Sequence, residues 1–195
     1  PRINKCVKEK AFMQNKVFVD AISKIKKAGG RVHLLGLLSD GGVHAHINHI
    51  VEMAKTLANQ GLTVCMHCFL DGRDVPQKSA ITYINRFEEE TKGYINIEIA
   101  TIGGRYFGMD RDKNWDRIEK AYNVIVNGGN SDNNPVKVIE EAYNNGITDE
   151  FIEPVAVNNY DGMRDGDGFI FANYRADRAR EISMALGKEN FDGFK

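Results

Sequence analysis

The sequence predicts an α/β fold: a three-layer sandwich with a mainly parallel sheet and helices on both faces. Three observations carry that reading. Segments with helical apolar spacing alternate with short apolar runs, as expected of parallel strands joined by crossover helices. The apolar runs are nearly continuous rather than alternating, as strands covered on both faces require. Each run is followed by a polar segment, which is where an open parallel sheet places its ligands.

In chain order, Val17, Ala21, Ile22, Ile25 and Ala28 recur at helical spacing, and Gly29-Gly30 stops that helix. Arg31–Leu38 reads as the first strand. A helix from about Ile47 to Asn59 follows, with Ile50, Met53, Ala54 and Leu57 on one stripe. Leu62–Leu70 is the second strand, and a helix runs from about Ser79 to Thr91. Ile95–Ile102 is the third strand. Trp115, Ile118, Ala121, Tyr122 and Ile125 mark the next helix, closed by Gly128-Gly129. Asn134–Asn145 reads as another, with Pro135 suited to its first turn. Phe169-Ile170-Phe171 is a short strand and Ala176–Leu186 the last helix. Asn127–Asn134 and Asn158–Gly168 are rich in Gly, Asn and Asp and read as surface loops or small excursions from the sheet. Within the second, Asp165-Gly166-Asp167-Gly168 lacks the remaining positions of a calcium loop and reads as a turn.

The 195 residues fit one domain, and 42% hydrophobic with 27% charged residues is ordinary globular composition. Lys and Arg number 26 against 27 Asp and Glu, so the net charge of −1 does not draw the molecule to nucleic acid or an acidic membrane. No apolar run approaches the roughly 18 residues of a membrane helix, and Pro1–Lys10 is too polar for a signal peptide, so a cytoplasmic setting is expected. Three cysteines are too few for a disulfide framework. Cys65-Met66-His67-Cys68 spells C-x-x-C, yet residues three apart on a strand point to opposite faces, so both thiols read as buried and structural.

Chemistry gathers in four segments that follow strands: Ser39–His46, Asp71–Asp74, Gly103–Asp112 and Asn173–Arg178. Five of the eleven arginines fall there, Arg73, Arg105, Arg111, Arg175 and Arg178, and none of the fifteen lysines does. Arginine's planar fork pairs with carboxylate or phosphate, so arginines converging on a near-neutral protein point to a small, multiply charged anion. The competing reading pairs each arginine with a neighbouring carboxylate: Asp74, Asp110, Asp112 or Asp177. Of the clustered histidines, His44 in the loop is read as facing substrate, and His46 and His49 as helix-start or packing residues. Asp74, beside arginines, stays ionised and can take and return a hydroxyl proton. Nothing supplies a nucleophile with its base: there is no G-x-S-x-G, no Walker loop and no G-x-G-x-x-G.

At these residues the chain resembles the cofactor-independent phosphoglycerate mutase family. The matching motifs are Leu38-Ser39-Asp40-Gly41-Gly42-Val43-His44-Ala45-His46, Phe69-Leu70-Asp71-Gly72-Arg73-Asp74, Gly104-Arg105-Tyr106 through Met109-Asp110-Arg111-Asp112, and Asn173-Tyr174-Arg175-Ala176-Asp177-Arg178-Ala179-Arg180. Family members commonly have Ser where Ala45 stands and Phe where Tyr174 stands. The resemblance implies that residues 1–195 form the substrate-binding (phosphotransferase) domain of a two-domain mutase, an excised piece. The partner domain, similar to alkaline phosphatase and without counterpart here, would supply a serine nucleophile and two manganese ions (Mn2+). The implied reaction interconverts 3-phosphoglycerate and 2-phosphoglycerate in glycolysis and gluconeogenesis through a phosphoserine. By the same resemblance His44, Arg73, Asp74, Arg105, Arg111, Arg175 and Arg178 contact substrate, Asp74 carries the proton, and no metal or other cofactor belongs to this stretch. The expected partners are the two phosphoglycerates and the phosphatase-like domain, with no nucleic acid and no membrane, and the stretch alone is expected to be inactive. Two rivals are a metal-dependent hydrolase built on His44 and His46, and a non-catalytic binding module for small anions.

Overall fold

The computed structural model describes residue 5, residues 11–129 and residues 131–194. The rest of Pro1–Lys10, including Cys6, together with Asn130 and Lys195, lies outside the described residues. A 3-10 turn at Ala11–Gln14 leads into α1 (Lys16–Lys27), which Asn15 caps by accepting from the Phe18 N–H. The buried face of α1 begins at Ile22, so Val17, on the same stripe by spacing, is exposed.

The elements that follow are β1 (Val32–Leu37), α2 (Ile47–Asn59), β2 (Val64–Leu70), α3 (Ala80–Thr91) and β3 (Ile97–Gly104). Then come α4 (Arg105–Gly108), α5 (Trp115–Asn127), α6 (Pro135–Asn144), β4 (Val155–Ala156), β5 (Gly168–Phe171) and α7 (Arg180–Gly187). The strand order is β4-β3-β2-β1-β5. β1 runs parallel to β2 and β5, and β2 parallel to β3. Every residue of β1 and β2 is buried, which requires cover on both faces. α2 packs against α3 and α3 against α6, while α5 packs against α7. No helix among the described residues is long and apolar enough to cross a membrane.

Three features depart from the sequence expectation. β4 pairs antiparallel with Thr101 and Ile102, although two residues leave no periodic signature. The stretch after it is no mere surface loop, because Tyr160 is buried and donates to the Ile125 carbonyl at 2.6 Å. α7 starts at Arg180 rather than Ala176: the Ala179 N–H bonds Ala176 O in a single turn, and the Asp177 and Arg178 side chains reach other elements.

The C-x-x-C cysteines diverge as the pleat requires. Cys68 joins the main core, whereas Cys65 packs with Ala100, Ala156 and Tyr160. Burial pushes the Cys65 thiol up to about 12 and the Cys68 thiol higher still.

A polar line also crosses the sheet inside the core. His33 Nε2 lies 2.8 Å from Asp167 Oδ2, His33 Nδ1 lies 2.9 Å from His67 Nε2, and His67 Nδ1 lies 2.9 Å from Thr101 Oγ1. Asp167, held ionised by His33, Arg31 and backbone donors that outweigh its burial, can only accept. Thr101 therefore donates to His67, His67 to His33 and His33 to Asp167, with both rings neutral. Burial depresses both histidines, His67 the more strongly. Asp167 also accepts from the Arg31 and Arg164 N–H groups, which makes residues 164–167 a turn.

Candidate functional site

Because β1, β2, β3 and β5 are parallel, the segments leaving their carboxyl ends share one edge of the sheet. Asp71, just past β2, organises that edge. It is 2% exposed and accepts from Ser39 Oγ at 2.6 Å, Arg105 Nη1 at 2.8 Å, and the backbone N–H groups of Asp74 at 3.0 Å and Arg73 at 3.2 Å. Burial would raise its carboxyl, but the Asp74 N–H, the Ser39 hydroxyl and Arg105 outweigh it and hold the pKa below the ordinary value.

Arg105, at the start of α4, is as deeply buried as Asp71. Its Nη1 bridges Asp71 Oδ1 and Asp74 Oδ2, the latter at 2.7 Å. Desolvation would lower the guanidinium, and Asp74 and Asp71 more than reverse it, so Arg105 stays charged. Asp74 is thereby turned by one arginine and backed by a second carboxylate. Gly41 lets the β1 loop pass close by, since a Cβ there would sit 3.0 Å from Asp74 Cβ.

The loops are tied to one another. Asn173 Oδ1 accepts from the Leu37 N–H at 3.1 Å, the Tyr174 N–H bonds His44 O at 2.9 Å, and the Tyr174 hydroxyl donates to Gly42 O. Asp110 accepts from the Asp112 and Asn114 N–H groups, which shapes the loop carrying Arg111. Asp149 reaches in from far along the chain to cap α3, accepting from Ser79 N–H at 2.8 Å and Ala80 N–H at 3.0 Å.

The arginines divide. Arg111 Nη1 meets Asp177 Oδ2 at 2.8 Å, Arg175 Nε meets Asp177 Oδ1 at 3.0 Å, and Arg73 Nη1 lies 3.5 Å from Glu150 Oε1. For those three and for Arg105, pairing with a carboxylate describes this structure. Arg178 differs: its Nη1 donates to Met109 O at 3.1 Å, and among the described residues no carboxylate lies within ion-pair reach. Burial, then Arg111, Arg105 and Arg73, lower its pKa, so four guanidinium groups share one field. Beside them opens a cleft of about 290 Å³ lined by Arg73, Arg105, Arg178, Asp110, Glu150 and Tyr106, among others.

His44 is buried at the rim of this cluster, its Nδ1 3.8 Å from Asp177 Oδ1. Burial and Arg105 push its pKa below the ordinary value, so the ring is neutral near pH 7. His46 turns away and caps α2, accepting from the Asn48 N–H at 3.2 Å. Among the described residues no group of three or more His, Cys, Asp or Glu gathers to hold a metal ion. Sequence reading missed the organising role of Asp71, although it stands in a singled-out segment. It also missed Glu150 and Asp149, which carried no local signal.

Comparison with known proteins follows this geometry. Residues 3–195 match a family model described as BPG-independent PGAM N-terminus. The chain is similar to the 2,3-bisphosphoglycerate-independent phosphoglycerate mutase of Idiomarina loihiensis, 44% identical over 196 residues, covering 99% of this chain and 38% of the relative. It is likewise similar to the enzyme of the same name from Staphylococcus epidermidis, 45% identical over 197 residues, covering 100% of this chain and 39% of the relative. A crystal structure of Leishmania mexicana phosphoglycerate mutase, at low cobalt concentration, superposes with a TM-score of 0.89 at 27% identity, covering 98% of this chain and 38% of that one. The chain spans 38–39% of the length of these relatives.

Proposed function

The chain belongs to the BPG-independent phosphoglycerate mutase family, and on that premise we propose that it is the substrate-holding domain of a two-domain enzyme interconverting 3-phosphoglycerate and 2-phosphoglycerate. The observation that carries the reading is Arg178: a half-buried guanidinium held by a carbonyl oxygen, in the field of three other arginines and open to a cleft. That is a site for a small anion. Moving a phosphoryl group between two hydroxyls of one glycerate requires a grip that survives phosphate departure, and arginine forks on the glycerate carboxylate and hydroxyls provide it.

Asp74 is the proton carrier. Arg105 orients its carboxylate, and its free oxygen gives a proton to the glycerate oxygen that the phosphoryl group leaves and recovers one from the other hydroxyl as that hydroxyl takes the phosphoryl group back. His44, neutral, offers one ring nitrogen to the substrate's oxygens, and Arg73, Arg111 and Arg175 complete the grip. Ser39, on the floor of the site, is buried and donates its hydroxyl to Asp71, so it is no nucleophile. The phosphorylated serine belongs to the phosphatase-like domain in the remaining length of the enzyme. Among the described residues no group of three or more His, Cys, Asp or Glu gathers, and the reading assigns the two manganese ions to that domain as well. His44 and His46 turn to different partners, which disfavours a hydrolase built on that pair. The reaction is a cytoplasmic step of glycolysis and gluconeogenesis, and this chain alone holds the substrate without turning it over.

Titration of 3-phosphoglycerate, followed by amide NMR, tests the reading with Arg178→Ala and Asp74→Asn beside wild type. Shifts confined to the four strand-end segments, abolished by Arg178→Ala and retained in Asp74→Asn, are expected. Absence of binding at tens of millimolar ligand, or shifts centred elsewhere, would refute the cradle. Formation of 2-phosphoglycerate by the purified, metal-free chain would refute the holding role.

A further inference from the structure

Asp177 stands in the middle of the groups assigned to the substrate. Its two oxygens meet Arg111 at 2.8 Å and Arg175 at 3.0 Å, and Oδ1 faces His44 Nδ1 at 3.8 Å. We propose that Asp177 is a built-in competitor for the substrate anion: its carboxylate fills the Arg111–Arg175–His44 corner and swings out when glycerate enters. The inference rests on the reading of this edge as a glycerate cradle.

The fit of Asp177 in that corner is poor, and the misfit is what a displaceable group would leave. His44 is 3% exposed, yet its Nδ1 and the buried Asp177 Oδ1 facing it make no hydrogen bond among the described residues. A nitrogen and an oxygen at 3.8 Å are beyond hydrogen-bond reach. A side chain tethered at residue 177 accepts a hydrogen bond from Arg111, meets Arg175 only as an ion pair without one, and stops short of the histidine. An untethered carboxylate can approach all three at hydrogen-bond distance, which orphaned buried polar atoms favour.

The exchange is also balanced. One carboxylate leaves as another arrives, so the charge of the corner does not change. The local backbone permits it, because residues 176–179 form a single turn ahead of α7, and Asp177, Arg111 and Arg175 all reach solvent. Arg178 keeps its anchor on Met109 O throughout. The device sets selectivity. A lone monoanion such as acetate must evict Asp177 with no further gain, whereas a phosphoglycerate also engages Arg178 and the adjoining cleft.

The test is calorimetric titration of 3-phosphoglycerate, then of acetate, into wild type and Asp177→Asn. Asp20→Asn is the control, since it removes the same charge from a distant exposed pair with Lys16 on α1. Asp177→Asn should bind 3-phosphoglycerate roughly three- to tenfold more tightly, the fold-change that two exposed ion pairs of ordinary strength amount to. Asp177→Ser should behave alike, acetate binding should become measurable in both, and Asp20→Asn should match wild type. The Arg175 side-chain Nε–H resonance should shift on Asp177→Asn in the direction that saturating ligand shifts it in wild type, which a merely structural role would not produce. If wild type binds and both Asp177 variants bind no more tightly, Asp177 only organises the arginines and this inference falls while the cradle stands. If no variant binds, both fall, because removing the competitor should have opened the site.

Discussion

Arg105→Met removes one guanidinium from between two carboxylates and keeps most of the aliphatic stem. Arg105 is 3% exposed, with Asp71 at 2.8 Å and Asp74 at 2.7 Å. Removing one partner of a buried pair costs about 3–5 kcal/mol, because the other charge is left uncompensated. Two features of the site reduce that figure. Asp71 keeps three donors, Ser39 Oγ and the N–H groups of Arg73 and Asp74, and the Asp74 side chain, 18% exposed, can turn to water. The expected loss is about 2–4 kcal/mol. Urea unfolding near neutral pH measures it, with Arg73→Met as the comparison. Arg73 is 57% exposed and 3.5 Å from Glu150, so its replacement should cost less than about 0.5 kcal/mol. Acidification supplies a second check. In wild type the Asp71 pKa lies below its ordinary value, so its contribution is present above the ordinary carboxylate range and lost as pH falls through the folded value. Without Arg105 that folded value rises, Asp71 takes a proton sooner, and the gap between variant and wild type narrows as pH falls. A loss below about 1 kcal/mol for Arg105→Met, or a gap that widens in acid, would refute the buried-pair account.

Two further outcomes follow from the core. His33 and His67 are depressed from the ordinary value of 6.5, so their contribution is complete above that pH and is lost as pH falls below it, since only the unfolded chain readily takes the proton. Each should remove up to about 1.4 kcal/mol per pH unit, and an unfolding free energy flat from neutral to mildly acid pH would contradict the neutral polar line. Gly104→Ala drives a Cβ into the Glu150 carbonyl and to within 2.7 Å of Asp149 O, backbone atoms that cannot turn aside. It should cost about 1–3 kcal/mol in thermal unfolding and shift the Glu150 and Arg73 resonances, and an unchanged Tm would show that the 149–151 turn yields freely.

Much of this protein is written locally. The strands Val32–Leu37 and Val64–Leu70 lie inside the apolar runs that announced them, and α2 has the ends its stripe predicts. Asn134 and Pro135 start α6 as their types require, and the alternation pointed to a parallel sheet whose carboxyl edge gathers the arginine-bearing segments. Such signals need only neighbours within a turn or along a strand. Other features depend on which distant groups meet. Ser79 makes no side-chain cap, and α3 is capped instead by Asp149, some 70 positions away. β4 is two residues that become a strand only against β3. Charge and spacing treated the five arginines alike, yet the fold buries Arg105 between Asp71 and Asp74, gives Asp177 to Arg111 and Arg175, and leaves Arg178 facing the cleft. The partners of Arg105, Arg111 and Arg178 lie 31 to 69 residues off. Residue types and their spacing determined that arginines would gather at this edge; sheet register and loop packing decided which of them pair with carboxylates and which, Arg178, does not.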